Sequence, residues 1–387
     1  MPEQNKFRIG PVITISIGHF LHDVYSSFLA PILPLLIDKL GMTYSMVGVL
    51  STLQRIPSLL NPFIGVLADR VAMRYLVILA PAVTATAMSL IGVAPSITVL
   101  AILLFVMGIS SALFHVPAPV MIRKVSGNKI GRGMGWFMFG GEMARTAGPV
   151  VILGAVSLWG LEGTYKLIPF GLGATLILYF AFRNIHIRED MQKRENHRGI
   201  WNTLRHHKKL FIAITGFTFF MSIMKSSMVT FLPTYLNLRG ESLWMSGISL
   251  SVLEIAGAAG ALFAGRLSDR IGRSISLMII AIATPFFMLL FLFAAKAWSF
   301  LLLICIGLTM FSSTPILMAL IQEHASERPA FMNSVYMTIS FFISAFNVIT
   351  IGFMSDILGM NTTFIFAGLL AFLAIPFTFF IRGPRAR

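Results

Sequence analysis

Residues 265–273 of the chain read GRLSDRIGR, and residues 65–70 read GVLADR. The two segments share a glycine, a leucine, an aspartate and an arginine, and the offset is 200 residues at every shared position. Each segment follows a long apolar run and precedes another, and each is extended by a further basic residue, Arg74 or Arg273. An internal repeat at this distance predicts a chain built from two similar halves.

The composition around these segments is typical of a membrane protein. Hydrophobic residues make up 56% of the chain and charged residues 12%, whereas soluble proteins carry about a quarter charged residues. Twelve apolar runs are each long enough to cross a bilayer as a helix, which needs roughly 20 residues. They cover residues 11–38, 44–67, 75–94, 97–122, 133–158, 163–183, 209–237, 243–265, 274–294, 298–321, 331–354 and 360–381. We predict an all-α integral membrane fold with twelve transmembrane helices in two six-helix pseudo-repeats.

The net charge of +15 raises the question of a nucleic-acid partner. The basic residues, however, are concentrated in short loops on one side of the predicted helices. The loops of the other side contribute only Lys39, Lys166, Arg239 and Lys296. This is the positive-inside pattern, so we expect no nucleic-acid partner, contact with membrane lipid, and a multi-pass protein of the cell inner (plasma) membrane with both termini cytoplasmic.

The longest polar stretch, from Arg183 to Lys209, separates six apolar runs from six. We therefore predict an N-terminal six-helix bundle at 1–183, a cytoplasmic linker at 184–208 and a C-terminal six-helix bundle at 209–387. The apolar run that begins at Pro11 is too long for the core of a signal peptide, so we expect it to be retained as the first membrane helix.

The repeated segment resembles the loop signature of the major facilitator superfamily, in which G-x-L-[AS]-D-R is followed by basic residues. The resemblance implies the major facilitator fold and transport by alternating access. An aspartate at a helix end can pair with a nearby arginine and with the positive end of a neighbouring helix, in one conformation only. We predict such a conformational latch at Gly65, Asp69, Arg70, Arg74, Gly265, Asp269, Arg270 and Arg273.

Ionisable residues within apolar runs are costly and are therefore functional candidates. His19 and Asp23 lie at i and i+4 in the first run, on one helical face. We predict that Asp23 carries a proton in coupling, that His19 tunes or relays it, and that Glu142 belongs to the same proton-coupling set. The alternative is structural: Asp23 would neutralise a buried base and His19 would only pack between helices.

Four further residues are candidate substrate ligands. His115 is followed by Pro117 and Pro119, which predicts a kinked helix. The superfamily resemblance places the runs that contain Asp23, His115 and Lys225 around a central cavity. Arg145 and Lys225 could bind an anionic substrate such as a phosphonate or carboxylate. Alternatively, Arg145 pairs with Glu142 at i,i+3 and only steadies helix packing. The substrate-binding candidates are His115, Arg145, Lys225 and Glu254.

Three stretches resemble a narrower group, the fosmidomycin-resistance family of efflux transporters. They are S-x-G-H-F-L-x-D at 16–23, G-x-S-S-x-x-F-H-x-P at 108–117 and G-G-x(6)-G-P at 140–149. The Gly148-Pro149 pair also resembles the fifth-helix signature of proton antiporters. The resemblance implies a proton-coupled secondary transporter that exports a small organic molecule or drug, with fosmidomycin-like anions among the candidates.

Other functions remain open at this point. A proton-coupled importer of organic anions would use the same residues. A divalent-metal exporter would use His19, His22, Asp23 and His115, but His22 lies about 60° away from the His19–Asp23 direction and no cysteine or second carboxylate joins the set.

A membrane sensor would need a soluble domain, and a lipid-modifying enzyme would need a catalytic set in a loop. The sequence offers neither, so we expect no catalytic activity, no cofactor and no resident metal. We expect a monomer that binds protons and a small-molecule substrate.

Overall fold

The computed structural model describes residues 7–61, 73–127, 129–182, 205–324 and 329–381. Regular structure within these ranges is helical, and no β-strand occurs in them. Helices satisfy their backbone hydrogen bonds within each segment, which is what a chain inserted in lipid requires. The prediction of an all-α fold is confirmed at this level.

The helices are numbered here in chain order. In the first part of the chain they are α1 (Ile9–Ser26), α2 (Leu29–Leu40), α3 (Tyr44–Leu53), α4 (Met73–Leu90), α5 (Ile97–His115), α6 (Pro117–Val125), α7 (Ile130–Trp159) and α8 (Ile168–Phe182). The later ones are α9 (Lys208–Ser226), α10 (Leu232–Leu238), α11 (Leu243–Ile271), α12 (Arg273–Phe293), α13 (Ser299–Met310), α14 (Ser313–His324), α15 (Pro329–Leu358), α16 (Met360–Ala371) and α17 (Ile375–Thr378).

Ten helical segments of the described chain are long and apolar enough to cross a membrane, and they match ten of the twelve predicted spans. The predicted span 44–67 reaches into residues 62–72, which lie outside the described ranges. The span 133–158 corresponds to α7, whose 30 residues are long enough to cross but carry Glu142 and Arg145 in their middle. The number twelve and the six-plus-six arrangement stay predictions.

Several of the predicted spans are interrupted helices, and two of them carry His19, Asp23 and His115. The first breaks between Ser26 and Leu29, where α1 ends and α2 begins. The second breaks at Val116, between the end of α5 at His115 and the start of α6 at Pro117. Proline has no N–H to donate, so Pro117 removes one hydrogen bond from a continuous helix and fits the first turn of a new one. A helix boundary therefore lies at the predicted position after His115, and the bend itself stays a prediction.

The chain divides into two compact units. The first contains residues 1–42, 50–192 and 236–251, and α1, α2 and α4 to α8 lie entirely within it. The second contains residues 43–49, 193–235 and 252–387, and α9 and α12 to α17 lie entirely within it.

Within the first unit, α7 packs along α1 at a very short distance. A Cβ atom at Gly140 would lie 2.4 Å from the Ser16 carbonyl oxygen, and one at Gly148 would lie 2.6 Å from Cβ of Ser27. Any side chain at these positions would push the helices apart, because real Cβ atoms do not approach other atoms so closely. The glycines of the G-G-x(6)-G-P stretch therefore set the spacing between α1 and α7.

Candidate functional site

The α1 helix carries three buried ionisable residues, His19, His22 and Asp23, with 4%, 0% and 6% of their surface exposed. Phe114 of α5 and Phe137 of α7 belong to the apolar core that packs around this part of α1. The His19 ring stacks on the Phe137 ring at a centroid distance of 4.0 Å. The aromatic core thus fixes the plane of the His19 ring.

His115 lies at the boundary between α5 and α6 and next to α1. His115 is the last residue of α5, and its ring centroid lies 5.1 Å from that of His19. The His115 side chain is 38% exposed, whereas the Asp23 side chain is 9% exposed. The cluster is therefore closed around Asp23 and open on the side of His115.

His19, Asp23 and His115 form one compact cluster, which we call the His–Asp–His cluster. The His19 Nε2 atom lies 3.2 Å from Asp23 Oδ2, and the His115 Nε2 atom lies 3.4 Å from Asp23 Oδ1. The two Nε2 atoms are 3.3 Å apart. Both imidazoles therefore present the same ring nitrogen to the carboxylate and to each other.

Main-chain carbonyl oxygens hold the opposite edge of both rings. His19 Nδ1 lies 2.7 Å from the Phe137 carbonyl oxygen, and His115 Nδ1 lies 3.0 Å from the Ser111 carbonyl oxygen. A carbonyl oxygen only accepts hydrogen bonds, so each Nδ1 carries a hydrogen and donates it. In the neutral form, each Nε2 then presents a lone pair to the cluster.

His22 lies beside this cluster and takes no part in it. Its ring stacks on Phe114 at a centroid distance of 4.6 Å, and its Nε2 atom is 4.0 Å from Asp23 Oδ1. Neither ring nitrogen has a hydrogen-bond partner in the described part of the chain. This agrees with the helical geometry that turned His22 away from the His19–Asp23 face.

Glu142 and Arg145 form an ion pair on α7. The sequence assigned them to proton coupling and to substrate binding, and it also offered this pair as the alternative. Arg145 is near enough to His115 for the two charges to interact. The roles of Glu142 and Arg145 stay predictions.

Lys225 and Glu254 belong to the second unit. The Lys225 Nζ atom lies 4.6 Å from the centroid of the Phe311 ring, a cation–π contact. Glu254 is buried in α11, with 4% of its surface exposed. Their predicted part in substrate binding stays a prediction.

The second copy of the repeated segment forms a network around Arg273. Arg273 Nη2 lies 2.5 Å from Asp269 Oδ1 and 2.7 Å from Glu323 Oε1 at the end of α14, and Arg273 also donates to Ser268 Oγ. Gly265 contributes its carbonyl oxygen at 3.5 Å from Nη1.

Glu323 was not predicted from the sequence as a partner of this segment. Arg270 lies in the last turn of the same helix, α11, and its predicted part in the latch stays a prediction. In the first copy, Gly65, Asp69 and Arg70 and the side chain of Arg74 lie outside the described residues.

Sequence reasoning missed the two carbonyl oxygens that orient the imidazoles. Ser111 lies four residues before His115 on the same helix, so helical spacing held a signal for the His115 anchor. The Phe137 carbonyl oxygen gave none, because main-chain groups are the same at every residue.

Comparisons with known proteins indicate a family of transporters. Residues 15–348 match the sequence model of the Major Facilitator Superfamily. The fosmidomycin resistance protein of Escherichia coli K12 is 24% identical over 359 residues, which cover 91% of this chain and 87% of that protein. The multidrug resistance protein MdtG of Klebsiella pneumoniae is 26% identical over 271 residues, which cover 66% of this chain and 65% of that protein.

The fold is also similar to that of solved transporters. A bacterial homologue of the human lysosomal transporter Spinster superposes with a TM-score of 0.81 at 13% identity, over 96% of both chains. At this identity the likeness concerns the fold alone. The resemblance inferred from the quoted stretches is confirmed by these comparisons.

Proposed function

Because the chain belongs to the Major Facilitator Superfamily, we propose that it is a proton-coupled secondary transporter that exports a small organic molecule or drug by alternating access. It acts as a monomer in the cell inner membrane with both termini cytoplasmic. Twelve spans form two six-helix repeats, at 1–183 and 209–387, joined by a cytoplasmic linker at 184–208.

The observation that carries the proposal is the buried carboxylate of Asp23 between two imidazoles. Asp23 lies near the middle of the apolar span Ile9–Leu40, where an ionised side chain is costly and marks an ion or substrate pathway. Its oxygens lie 3.2 Å from His19 and 3.4 Å from His115. A proton taken up here is shared within a hydrogen-bonding group that excludes most water.

Proton binding and substrate binding are coupled because the substrate and Asp23 compete for His115 at the open side of the cluster. His115 is 38% exposed and can contact a substrate while it contacts Asp23. A substrate group that draws His115 away leaves Asp23 with His19 alone and changes the proton affinity of the carboxylate. Glu142 is assigned to the proton path with Asp23 and His19, and Gly148 and Pro149 support the packing of α7 that antiport requires.

The substrate class follows from charge and from the relatives. His115, Arg145 and Lys225 favour an anionic group, whereas Glu254 would bind a positive or hydrogen-bond-donating group. The relatives bear the names fosmidomycin resistance protein and multidrug resistance protein. A small organic molecule with a phosphonate or carboxylate is therefore the first class to test. An inside-negative membrane potential assists its export by about 2.3 kcal/mol per charge per 100 mV.

The test is a pH-gradient measurement in energised inside-out vesicles. Fosmidomycin, other phosphonates, organic acids and cationic drugs are added one at a time to vesicles with wild type, Asp23→Asn or the control Asp38→Asn, which changes an exposed aspartate of α2. We expect one compound to dissipate the gradient with wild type and Asp38→Asn but not with Asp23→Asn. Equal responses of wild type and Asp23→Asn, or no response to any compound, would remove proton-coupled export.

A further inference from the structure

We propose that His19, Asp23 and His115 form a binding site for a single divalent transition metal ion of the Zn²⁺ or Co²⁺ type. The inference goes beyond the proposed function and does not depend on it, because it concerns equilibrium binding to the protein. Two imidazoles and one carboxylate are ligands that these ions accept. Among the described residues, this is the group of His, Cys, Asp and Glu whose ligand atoms come within 4.8 Å of one another.

The spacing of the ligand atoms matches one ion. Ligand atoms bound to a tetrahedral ion at about 2.1 Å lie about 3.4 Å from one another. The corresponding distances are 3.3 Å between the two Nε2 atoms, 3.2 Å from His19 Nε2 to Asp23 Oδ2, and 3.4 Å from His115 Nε2 to Asp23 Oδ1. Each imidazole thus faces a different oxygen of the carboxylate, and with one ligand atom per residue the three atoms lie within 4.8 Å of one another. An ion between the carboxylate edge and the two rings would contact all three side chains after small side-chain rotations.

Added protons would leave more of the facing acceptor atoms of His19, His115 and Asp23 without a partner than one metal ion would. With both Nδ1 hydrogens committed to carbonyl oxygens, neutral imidazoles and the carboxylate place three acceptors face to face. One added proton on His19 leaves His115 Nε2 and Asp23 Oδ1 as two facing acceptors. Two added protons place two cationic rings with their N–H groups 3.3 Å apart. One central cation contacts all three acceptors at once.

The surroundings are those of a metal site rather than of a chance cluster. Histidines that bind metal usually donate their other ring N–H to a carbonyl or carboxylate oxygen, which fixes the ring and its tautomer. His19 does so at Phe137 and His115 does so at Ser111. Asp23 Oδ1 is buried and receives no hydrogen bond of normal geometry from the described residues. An ion would supply the positive charge that this oxygen lacks.

The open side of the cluster leaves room for a fourth ligand. Asp23 and His19 are closed off, and His115 is the exposed member. Sites at which a metal acts on small molecules keep one position for water or a substrate group. An anionic oxygen of a small molecule therefore fits the fourth position.

The test uses the purified full-length protein in detergent, carrying an affinity tag without histidines. Co²⁺ is titrated while visible absorption is recorded, because four-coordinate Co²⁺ absorbs far more strongly than hydrated Co²⁺. We expect wild type and the control His206→Gln, which changes an exposed histidine, to bind one Co²⁺ per chain. His115→Gln and Asp23→Asn should weaken binding at least about tenfold. Unchanged affinity in His115→Gln and Asp23→Asn would overturn the site.

A second measurement needs no variant and so does not depend on the folding of one. X-ray absorption of the Zn²⁺-loaded wild type should show two imidazole ligands and oxygen neighbours at about 2.0–2.1 Å. A shell of oxygen atoms alone would contradict the proposal. Metal binding in a protein that fails the vesicle test would leave this inference standing and remove proton-coupled export. Export without metal binding would leave proton-coupled export standing and overturn the metal site.

Discussion

Asp356 Oδ2, near the end of α15, accepts a 2.8 Å hydrogen bond from the backbone N–H of Ser45 in the first turn of α3. Asp356 Oδ1 accepts another from the N–H of Tyr44, also at 2.8 Å. The first N–H groups of a helix have no partner inside the helix, and a carboxylate there also interacts favourably with the helix dipole. Asp356, from the last part of the chain, thus caps the N-terminus of α3, from the first part of the chain.

We predict that Asp356→Ala destabilises the protein by about 1 kcal/mol, the usual effect of removing a helix cap. The melting temperature of the detergent-solubilised protein should fall by a few degrees. Asp38→Ala serves as the control, because Asp38 is an exposed aspartate for which no hydrogen bond to a helix terminus is found among the described residues. Equal melting temperatures for the two variants would show that the cap contributes nothing.

Gly141 tests the spacing between α1 and α7. A Cβ atom at this position would lie 2.5 Å from Cε1 of His19. Gly141→Ala should displace the His19 ring at a cost of about 1–3 kcal/mol, and both transport and Co²⁺ binding should weaken. Gly154→Ala is the matched control on the same helix, because its Cβ would meet nothing within 4 Å. If Gly141→Ala behaves like Gly154→Ala, the ring position is not critical.

Arg273 tests the latch in the second copy of the repeated segment. Arg273→Gln removes the contacts with Asp269 and Glu323, while the protein should still insert. We expect turnover to fall several-fold, since a loss of about 1.4 kcal/mol changes a conformational equilibrium tenfold. Transport rates at equal expression provide the measurement.

A double-mutant cycle of Arg273→Gln with Glu323→Gln separates the direct contact from other effects. We expect a coupling energy of about 0.5–3 kcal/mol between the Arg273 and Glu323 side chains. The pair Lys39 and Glu162 is the comparison, at 2.8 Å but with Glu162 75% exposed, and should couple more weakly because water and salt screen the two charges. Additive effects of the two glutamine variants would mean that the contact does not bias the transport cycle.

His22 provides a contrast with His19. Its buried ring nitrogens lack hydrogen-bond partners within the described ranges, and such groups cost about 1–3 kcal/mol. His22→Phe should therefore leave the melting temperature unchanged or raise it, with Co²⁺ binding retained. His19→Gln should abolish both transport and tight Co²⁺ binding. A loss of metal binding in His22→Phe would place His22 among the ligands.

The sequence predicted those parts of the site that depend on local spacing. The i,i+4 relation of His19 and Asp23 and the i,i+3 relation of Glu142 and Arg145 are fixed by helical geometry and are present in the structure. The break after His115 followed from proline chemistry. These features need no knowledge of how one helix packs on another.

The remaining parts depend on contacts between distant segments. The 3.3 Å distance between His19 and His115 arises from the packing of α1 and α5, and no local pattern encodes it. For the same reason the sequence kept a divalent-metal exporter only as an alternative and predicted no resident metal, because the orientation of His115 does not follow from local spacing. Capping by Asp356 was missed because its partners are backbone N–H groups 311 and 312 residues away.

The carbonyl anchors of His19 and His115 have a consequence for how related transporters can diverge. Both anchors are main-chain oxygens, of Phe137 and Ser111, so the hydrogen-bond acceptor survives replacement of either side chain as long as the helices keep their paths. Side chains around the cluster can therefore vary while the two rings keep their orientation. The rings are held by a part of the chain that a side-chain substitution does not remove.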